Sequence, residues 1–553
     1  MKKLLFVLLF FSLIGLRAPA QAPLDNADQV VDKISARERA LVESFKDYIP
    51  IAETYLQELA LRGNTAVVVH DHYFLSQAKL GPDVDILPFK GTRKGSPITH
   101  FAKSMFSVKM EYLPEGFAQM VHPDVDGFDR DHYSFNYLQR DLLGEVDCLV
   151  FDVLPLGKYA KKKGMFEGRI WVEDHDYTIV RYKGFFRGGN DFHGHYFHFD
   201  TSRVKTGPGV WLPAAVYTEE KDYPYNKISP RTALAHARFK AQTRFWGYEP
   251  PSFGREPELT QPKPRSTSVP FKPPGFLGVT DVMADYPLET QAEDNVTNRL
   301  ESLGLLAPPG EWDGVLKTIA RKLETANHFH IQPQVRCREL LTTRMEFFTV
   351  GHTIIVSRGL LDVAADEATL AAILALGLAK IELMTPADTR YPFADQVIFN
   401  PEDTFRKLSF VSASGSIKKI RELAAYYLSE SPYKDSIPSV REFFAELVAK
   451  SSHIPELVVA NLGDSLLNQM IFPDSKREPA KEETVRQAAL PLGSRTRVDP
   501  WTDQLEILSV PPTVTLANDP MPFEVTPSLP YQRQRKVTSK FDAPSRANPL
   551  SND

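Results

Sequence analysis

A change of hydrophobic period just past residue 61 constrains this chain more than any other feature. From Ala27 to Leu61 apolar residues recur at helical spacing (Val30, Val31, Ile34, then Leu41, Phe45, then Ile51, Tyr55, Leu59), with Pro50 interrupting the run. Beyond it lie short segments rich in β-branched and aromatic residues: TAVVVHDHYFLSQAKL, HFAKSMFSVKMEYL, EVDCLVFDVLPL, MFEGRIWVEDHDYTIVRYKGFF, HGHYFHFDTSRV and GVWLPAAVYTEE. Glycine, proline or charged clusters separate them, which is the pattern of strands joined by turns. Helix followed by a succession of strands predicts an antiparallel sheet curling around a helical plug, and so an α+β class.

At 553 residues the chain is too long for one core. Its 43 prolines are unevenly placed, and the stretch YEPPSFGREPELTQPKPRSTSVPFKPPG, with no apolar periodicity, reads as an extended connector. The expected division is a sheet-bearing domain over residues 21–247, a Pro-rich linker over 248–275, a mainly helical domain with a small sheet over 276–475, a partly ordered extension over 476–531 and a disordered tail over 532–553. Within the extension, LPLGSRTRVDPWTDQLEILSV predicts two short strands about Asp499-Pro500-Trp501.

Lys2 and Lys3 precede an apolar run from Leu4 to Leu16, and Ala18-Pro19-Ala20 supplies small residues for cleavage before Gln21. Residues 1–20 therefore predict a signal peptide and export to the periplasm or the extracellular space, with no transmembrane segment left after cleavage. A net charge of -5 argues neither for nucleic acid nor for an anionic membrane surface. Cys148 and Cys337, far apart in strand-like surroundings, predict two separately buried thiols.

The segments Gly157 to Phe186 (GKYAKKKGMFEGRIWVEDHDYTIVRYKGFF) and Gly209 to Tyr217 (GVWLPAAVY) resemble the LolA-like family of exported lipoprotein-carrier domains. The resemblance implies a curved antiparallel half-barrel around a helix, and a partner that is an apolar ligand or a lipidated protein. Alternation leaves open whether Phe166, Trp171, Phe185, Phe186 and Phe197 line a cavity or fill a core.

The second domain predicts helices in AEDNVTNRLESLGLL and in EWDGVLKTIARKLETAN, the latter with Val315, Ile319 and Leu323 on one face. Strands follow around Gly351, then an acidic-capped amphipathic helix in Leu361–Leu383, then helices in SVREFFAELVAK and IPELVVANLGDSLLNQM. The frame GHTIIVSRGLL followed by DEATLAAILALGLAKI is similar to the M48 family of zinc metallopeptidases. Laid on that family, Leu376 and Lys380 take the places of the two metal-binding histidines of H-E-x-x-H and Gly377 that of the glutamate. SESPYKD anchors the third ligand position near Ile417, with the following Asp position near Arg421. None of these side chains can hold zinc or act as the base, and Lys418, Lys419 and Arg421 bring positive charge to the same stretch.

The resemblance therefore implies a pseudoenzyme with no cofactor: an exported binding or scaffold protein of the cell envelope. Its second domain would grip a peptide segment by strand addition at Gly351 to Val356. The alternative is an active metallopeptidase or other hydrolase with a relocated site. Candidate residues for that relocated site are His328 and His330 with Glu382 and His352; separately, in the first domain, His193 and His195 could make a metal site with His70 and His72 if their strands are neighbours. No carboxylate spacing completes either set, and no G-x-S-x-G, Walker A or G-x-G-x-x-G motif stands in a fitting context.

Overall fold

The computed structural model describes residues 26–62, 65–81, 84–89, 114–124, 127–143, 146–159, 162, 164–187, 195–222, 238–248, 288–364, 366–383, 410–412, 415–452, 454–472, 496–498 and 505–507. The expected signal peptide, segment 100–113, all of the linker but Tyr248, His193 and the tail lie outside the described residues.

Helix α1 (Ala27–Phe45) is followed by strands β1 (Ile51–Arg62), β2 (Thr65–Lys79) and β3 (Asp85–Pro88), and by the short helix α2 (Pro114–Ala118). Strands β4 (Tyr133–Leu143), β5 (Val146–Pro155), β6 (Phe166–Glu173), β7 (Ile179–Phe186), β8 (His195–Gly207), β9 (Val210–Asp222) and β10 (Arg238–Trp246) complete one antiparallel sheet. Its order is β3-β2-β1-β10-β9-β8-β7-β6-β5-β4, open, with β3 and β4 at its two edges.

The expectation of helix through Leu61 is corrected from residue 51 onward. Ile51, Tyr55 and Leu59 are spaced by four, a step that keeps one face of a strand as well as of a helix. Pairing on both sides, to β2 and β10, decides for strand. The strands β3, β4 and β10 were not expected at all; β4 reads YSFNYLQRDLL and carries an exposed edge, so its alternation is blurred by polar residues.

The two faces of the sheet have different partners. Val30, Val31, Ile34, Leu41 and Phe45 of α1 pack with Ala52, Leu149, Phe151, Phe166, Ile170, Val172, Tyr182, Phe199, Leu212, Val216 and Phe245 on one face. Ile51, Leu75 and Trp246 pack from the other face into the rest of the chain, as do Tyr55 and Tyr217.

That remainder begins with α3 (Leu288–Ser302) and α4 (Glu311–Ala326), then β11 (Arg336–Leu340), β12 (Glu346–Val350) and β13 (Thr353–Ser357). It continues with α5 (Arg358–Val363), α6 (Glu367–Glu382), α7 (Ile417–Ser429), α8 (Ile437–Ser451), α9 (Pro455–Val458), β14 (Asp464–Ser465) and α10 (Leu466–Gln469). The four strands order β11-β13-β12-β14. The buried stripe of α4 is Trp312, Leu316, Ile319, Ala320 and Leu323, while Val315 faces solvent. The single helix expected over IPELVVANLGDSLLNQM is broken into α9, β14 and α10. Leu462 N (2.8 Å) and Gly463 N (3.1 Å) donate to the buried Glu346 carboxylate rather than to a helical carbonyl. Thr496–Val498 and Leu505–Ile507 pair antiparallel, as expected for the extension.

Candidate functional site

The stretch expected to be one amphipathic helix is two helices, α5 and α6, and α6 is not amphipathic. Every residue from Ala368 to Ile381 is buried, the state of a helix apolar all round and enclosed on all sides. Asp366 caps it, accepting from Thr369 N at 2.8 Å and Thr369 Oγ1 at 2.7 Å. Strand β12, helices α4, α7 and α8 surround it.

The three positions of interest on α6 are closed. Leu376 has no exposed surface. Gly377 lies against β13: a Cβ there would stand 2.7 Å from Ile354 Cδ1, so the helix approaches the sheet at a distance only glycine allows. Lys380 is buried and its ammonium donates to Asp464 Oδ2 at 3.1 Å, with Nζ 4.6 Å from the centroid of the Phe347 ring. Asp464 also accepts from Ser412 N at 3.1 and 3.0 Å and from Ser412 Oγ at 2.7 Å. Burial draws the Lys380 ammonium below its ordinary value, and the Asp464 carboxylate opposes that drift. Sequence reasoning missed Asp464 and Ser412; NLGDSLL carries no signal that its aspartate meets a lysine 84 positions upstream.

Ile417 begins α7 half-buried, and Arg421 turns its guanidinium to the Asn468 carbonyl. Lys418 and Lys419 are exposed, Lys418 facing Glu422 at 3.8 Å, so these two lysines charge the solvent face of α7 and not the interior, contrary to expectation. The expected peptide-binding edge is also corrected. β13 pairs with β11 on one side and β12 on the other, so Thr353 to Val356 has no free ladder for an added strand. The Gly351 turn before it is itself occupied: Glu293 Oε2 accepts His352 N at 2.9 Å and Glu293 Oε1 accepts Arg336 Nη2 at 2.6 Å.

The histidine sets do not assemble. Strands β1, β10 and β9 separate β2 from β8, which parts His70 and His72 from His195, and His72 Nε2 instead meets Glu58 at 2.7 Å. His328 and His330 are exposed beyond the end of α4, His352 lies by Glu293, and Glu382 accepts the Tyr427 hydroxyl. Among the described residues, Glu173, Asp174 and His175 are the set of three candidate ligands within 4.8 Å of one another. There Glu173 Oε2 accepts the backbone N–H of His175 (3.1 Å) and Asp176 (2.5 Å), so its work is to cap the β6–β7 turn. Cys148 and Cys337 are both free and buried, and burial pushes each thiol up to about 12.

On the inner face of the large sheet, the core question resolves toward filling. Phe166 stacks edgewise on Tyr182 (5.9 Å) and packs with Phe199 (6.1 Å), whereas Trp171 belongs to a separate cluster on the opposite face. The Arg203 guanidinium, fully buried, grips Glu38 of α1 with both Nη atoms (2.6 and 2.5 Å) and also reaches the carbonyls of Ile179 (3.0 Å) and Val121 (3.2 Å). Tyr182 and Thr201 hydroxyls donate to Met120 O at 2.7 and 2.8 Å. Helix α1 and the 114–122 segment are thereby tied down across the face. Phe135, Tyr137 and Phe186, nearer the β4 side, remain half-buried.

Polar contacts bind the outer face to the second unit. Glu53 of β1 accepts from Arg244 Nη2 (2.7 Å), Tyr73 OH (2.7 Å) and Thr343 N (2.6 Å). Arg244 also donates to Leu341 O at 2.8 Å, Trp246 Nε1 to Gly304 O at 2.8 Å, and Glu456 N to both oxygens of Asp71.

No family model matches the chain, and no curated protein matches it. Among solved structures it is similar to an outer membrane lipoprotein-sorting protein domain from Vibrio parahaemolyticus, at 13% identity over 42% of this chain and 95% of that one, TM-score 0.24. It is also similar to a LolA superfamily protein from Nitrosomonas europaea (8% identity, 39% and 91% covered, TM-score 0.20). A DUF1329 family protein from Desulfovibrio piger is a third (13%, 40% and 94%, TM-score 0.21). TM-scores this low carry no weight for fold or function; the architecture is defined by the strand order above.

Proposed function

We propose that the chain is an exported, non-catalytic binding protein in which the second unit is a closed peptidase-like frame serving as a buttress to the sheet. The observation that carries this reading is the pair Lys380–Asp464. An ammonium ion with a carboxylate and the Phe347 ring around it occupies the helix position where the M48 frame would hold its second histidine. Three N–H donors on Lys380, no donor atom on Leu376 and no side chain on Gly377 leave no ligand and no base at the three motif positions, and the one described carboxylate beside them, Asp464, is engaged by Lys380 and Ser412. A cation brought to Lys380 would also meet like charge.

Binding then falls to the sheet unit, with an apolar molecule or a lipidated protein as the ligand class. The half-buried Phe135, Tyr137 and Phe186 on its inner face support this, since apolar ligands are held mainly by such side chains. The buttress reading follows from the outer face, where Glu53, Arg244 and Trp246 are engaged by the second unit and are lost to any other partner.

The test is made on the purified chain from residue 21 onward. Metal content and peptide hydrolysis are measured, and neither bound zinc nor cleavage is expected. Stoichiometric zinc with chelator-sensitive hydrolysis would overturn the proposal. Mass spectrometry of freshly isolated protein should find copurifying apolar material, and a clean spectrum would remove the ligand part while leaving the buttress part standing.

A further inference from the structure

We infer that the β6–β7 turn is a binding site for a divalent cation of the manganese class, held by Glu173, Asp174 and His175. Along a strand, consecutive side chains point to opposite faces and cannot meet at one ion. Here β6 ends at Glu173 and the chain reverses at once, with Tyr177 in the left-handed region at φ 56°. Glu173 Oε1, Asp174 Oδ1 and His175 Nδ1 consequently lie within 4.8 Å of one another.

The arrangement suits an ion better than it suits hydrogen bonds. Nδ1 stands 3.2 Å from Glu173 Oε1 and 2.7 Å from Asp174 Oδ1. Bonds of about 2.0–2.2 Å to one ion set neighbouring ligand atoms about 3 Å apart, which both separations approach. A proton on Nδ1 has hydrogen-bonding geometry toward Glu173 alone. Asp174 Oδ1 is shut off from solvent and accepts no hydrogen bond, although the ring nitrogen touches it. Such an oxygen is costly to leave unserved, and an ion in place of the Nδ1 proton serves all three atoms.

The ligands are fixed in advance. Glu173 spends Oε2 on the N–H groups of the turn, which aims Oε1 at the ring. Asp174 N donates to Asp147 O at 3.1 Å and Tyr177 N to Glu173 O at 3.0 Å. Arg140 Nη1 takes Asp174 Oδ2 at 2.5 Å, leaving Oδ1 to the site. The Glu173 and Asp174 side chains are only 11% and 13% exposed, while His175 is 80% exposed, so an ion enters and exchanges from the solvent side. Asp141, beside Cys148 and Glu173 on adjacent strands, and Asp147 and Asp176 add negative charge. The cations facing the turn are otherwise engaged, Arg37 with Thr178 Oγ1 and Gly209 O, and Lys33 over the Tyr177 ring. Two carboxylates, one imidazole and open places for water suit Mn²⁺, with Zn²⁺ tighter at the same atoms. The inference rests on no reading of the α6 positions.

The test is titration of the chain from residue 21 onward, untagged and stripped over a chelating resin, with Mn²⁺, the free ion being counted by its electron paramagnetic resonance signal. One saturable site is expected. His175→Ala, at an exposed side chain that the fold can lose, and Asp174→Asn should each weaken it at least about tenfold. His328→Ala/His330→Ala, which removes two exposed imidazoles elsewhere, should leave it unchanged. Zn²⁺ should displace the Mn²⁺ and an equal concentration of Mg²⁺ should not. Zinc taken up here vanishes with His175→Ala, whereas zinc bound on α6 would survive that change, so the two sites are told apart. No saturable binding, binding untouched by His175→Ala as for an adventitious ion only, or displacement by Mg²⁺ as well as by Zn²⁺ would overturn the inference.

Discussion

Lys380 is the residue whose chemistry most divides the two readings of this chain, because its charge is buried and needs a partner. Removing that partner's mate leaves Asp464 ionised in a dry setting, so Lys380→Met should cost about 3–5 kcal/mol in denaturant unfolding. Adding Asp464→Asn keeps an acceptor for Ser412 N while removing the stranded charge, and should recover more than half of the loss. Recovery of nothing would mean that the pair is not the source of the effect. Gly377→Glu places a carboxylate where a bare Cβ already stands 2.7 Å from Ile354, and soluble folded protein should be lost. Replacing Leu376, Gly377 and Lys380 together by His, Glu and His should for the same reason give no folded zinc protein, as read by metal content of the soluble fraction.

At the scale of elements, the β12–β13 hairpin shows how a turn and its neighbour determine each other. Gly351 has φ +54°, and a Cβ there would fall 2.4 Å from Glu293 Oε2, the oxygen that accepts His352 N. Gly351→Ala should therefore destabilise by about 1–3 kcal/mol through backbone strain and displacement of Glu293. A melting curve unchanged from the parent would show that the turn tolerates it. β1 shows the limit of pattern reading: a spacing of four fits both periods, and only the two ladders from β2 and β10 separate them. α6 shows a second limit, since a helix buried on every side has no polar face to reveal its orientation.

For the whole molecule, the two units should unfold together. Glu53 is buried and bonded to Arg244 and Tyr73 within the sheet unit and to Thr343 in the second. Glu53→Ala strands the Arg244 charge and should cost about 3–5 kcal/mol while leaving one cooperative transition for both units. Two separate transitions in the parent protein, followed by tryptophan fluorescence and far-ultraviolet circular dichroism, would contradict the welded arrangement.

The same interface sets a pH dependence. Burial pushes the Asp71 carboxyl from its ordinary 3.8 up to about 6, against the pull of Glu456 N–H and the Tyr55 hydroxyl. Between those values the folded chain keeps a proton that the unfolded chain has released. The stability this group contributes is therefore full below pH 3.8 and lost as pH rises through about 6. Asp71→Asn cannot titrate, so it should remove a decline on the order of 1–3 kcal/mol over that window in denaturant titrations. An identical pH profile in the variant would exclude Asp71 as its origin.

What the sequence determined by itself was local. The existence of β2 and β5 to β9, the α1 stripe of Val30, Val31, Ile34, Leu41 and Phe45, and the buried separateness of Cys148 and Cys337 are all encoded in short stretches of sequence, as β-branched and aromatic runs between turn residues or as helical spacing, and the structure agrees with each. The sealed state of Leu376, Gly377 and Lys380 was beyond it. Whether a helix face opens to a cleft depends on which elements pack against it, and Asp464, Ser412 and Ile354 reach that face from distant parts of the chain. The same holds for β13, whose sequence suits an edge or a centre equally, and for His70 and His72, whose distance from His195 depends on strand order alone. Tertiary structure decided these matters because burial, pairing and charge compensation are properties of neighbours in space, and spacing along a chain specifies only the neighbours within a turn or a strand.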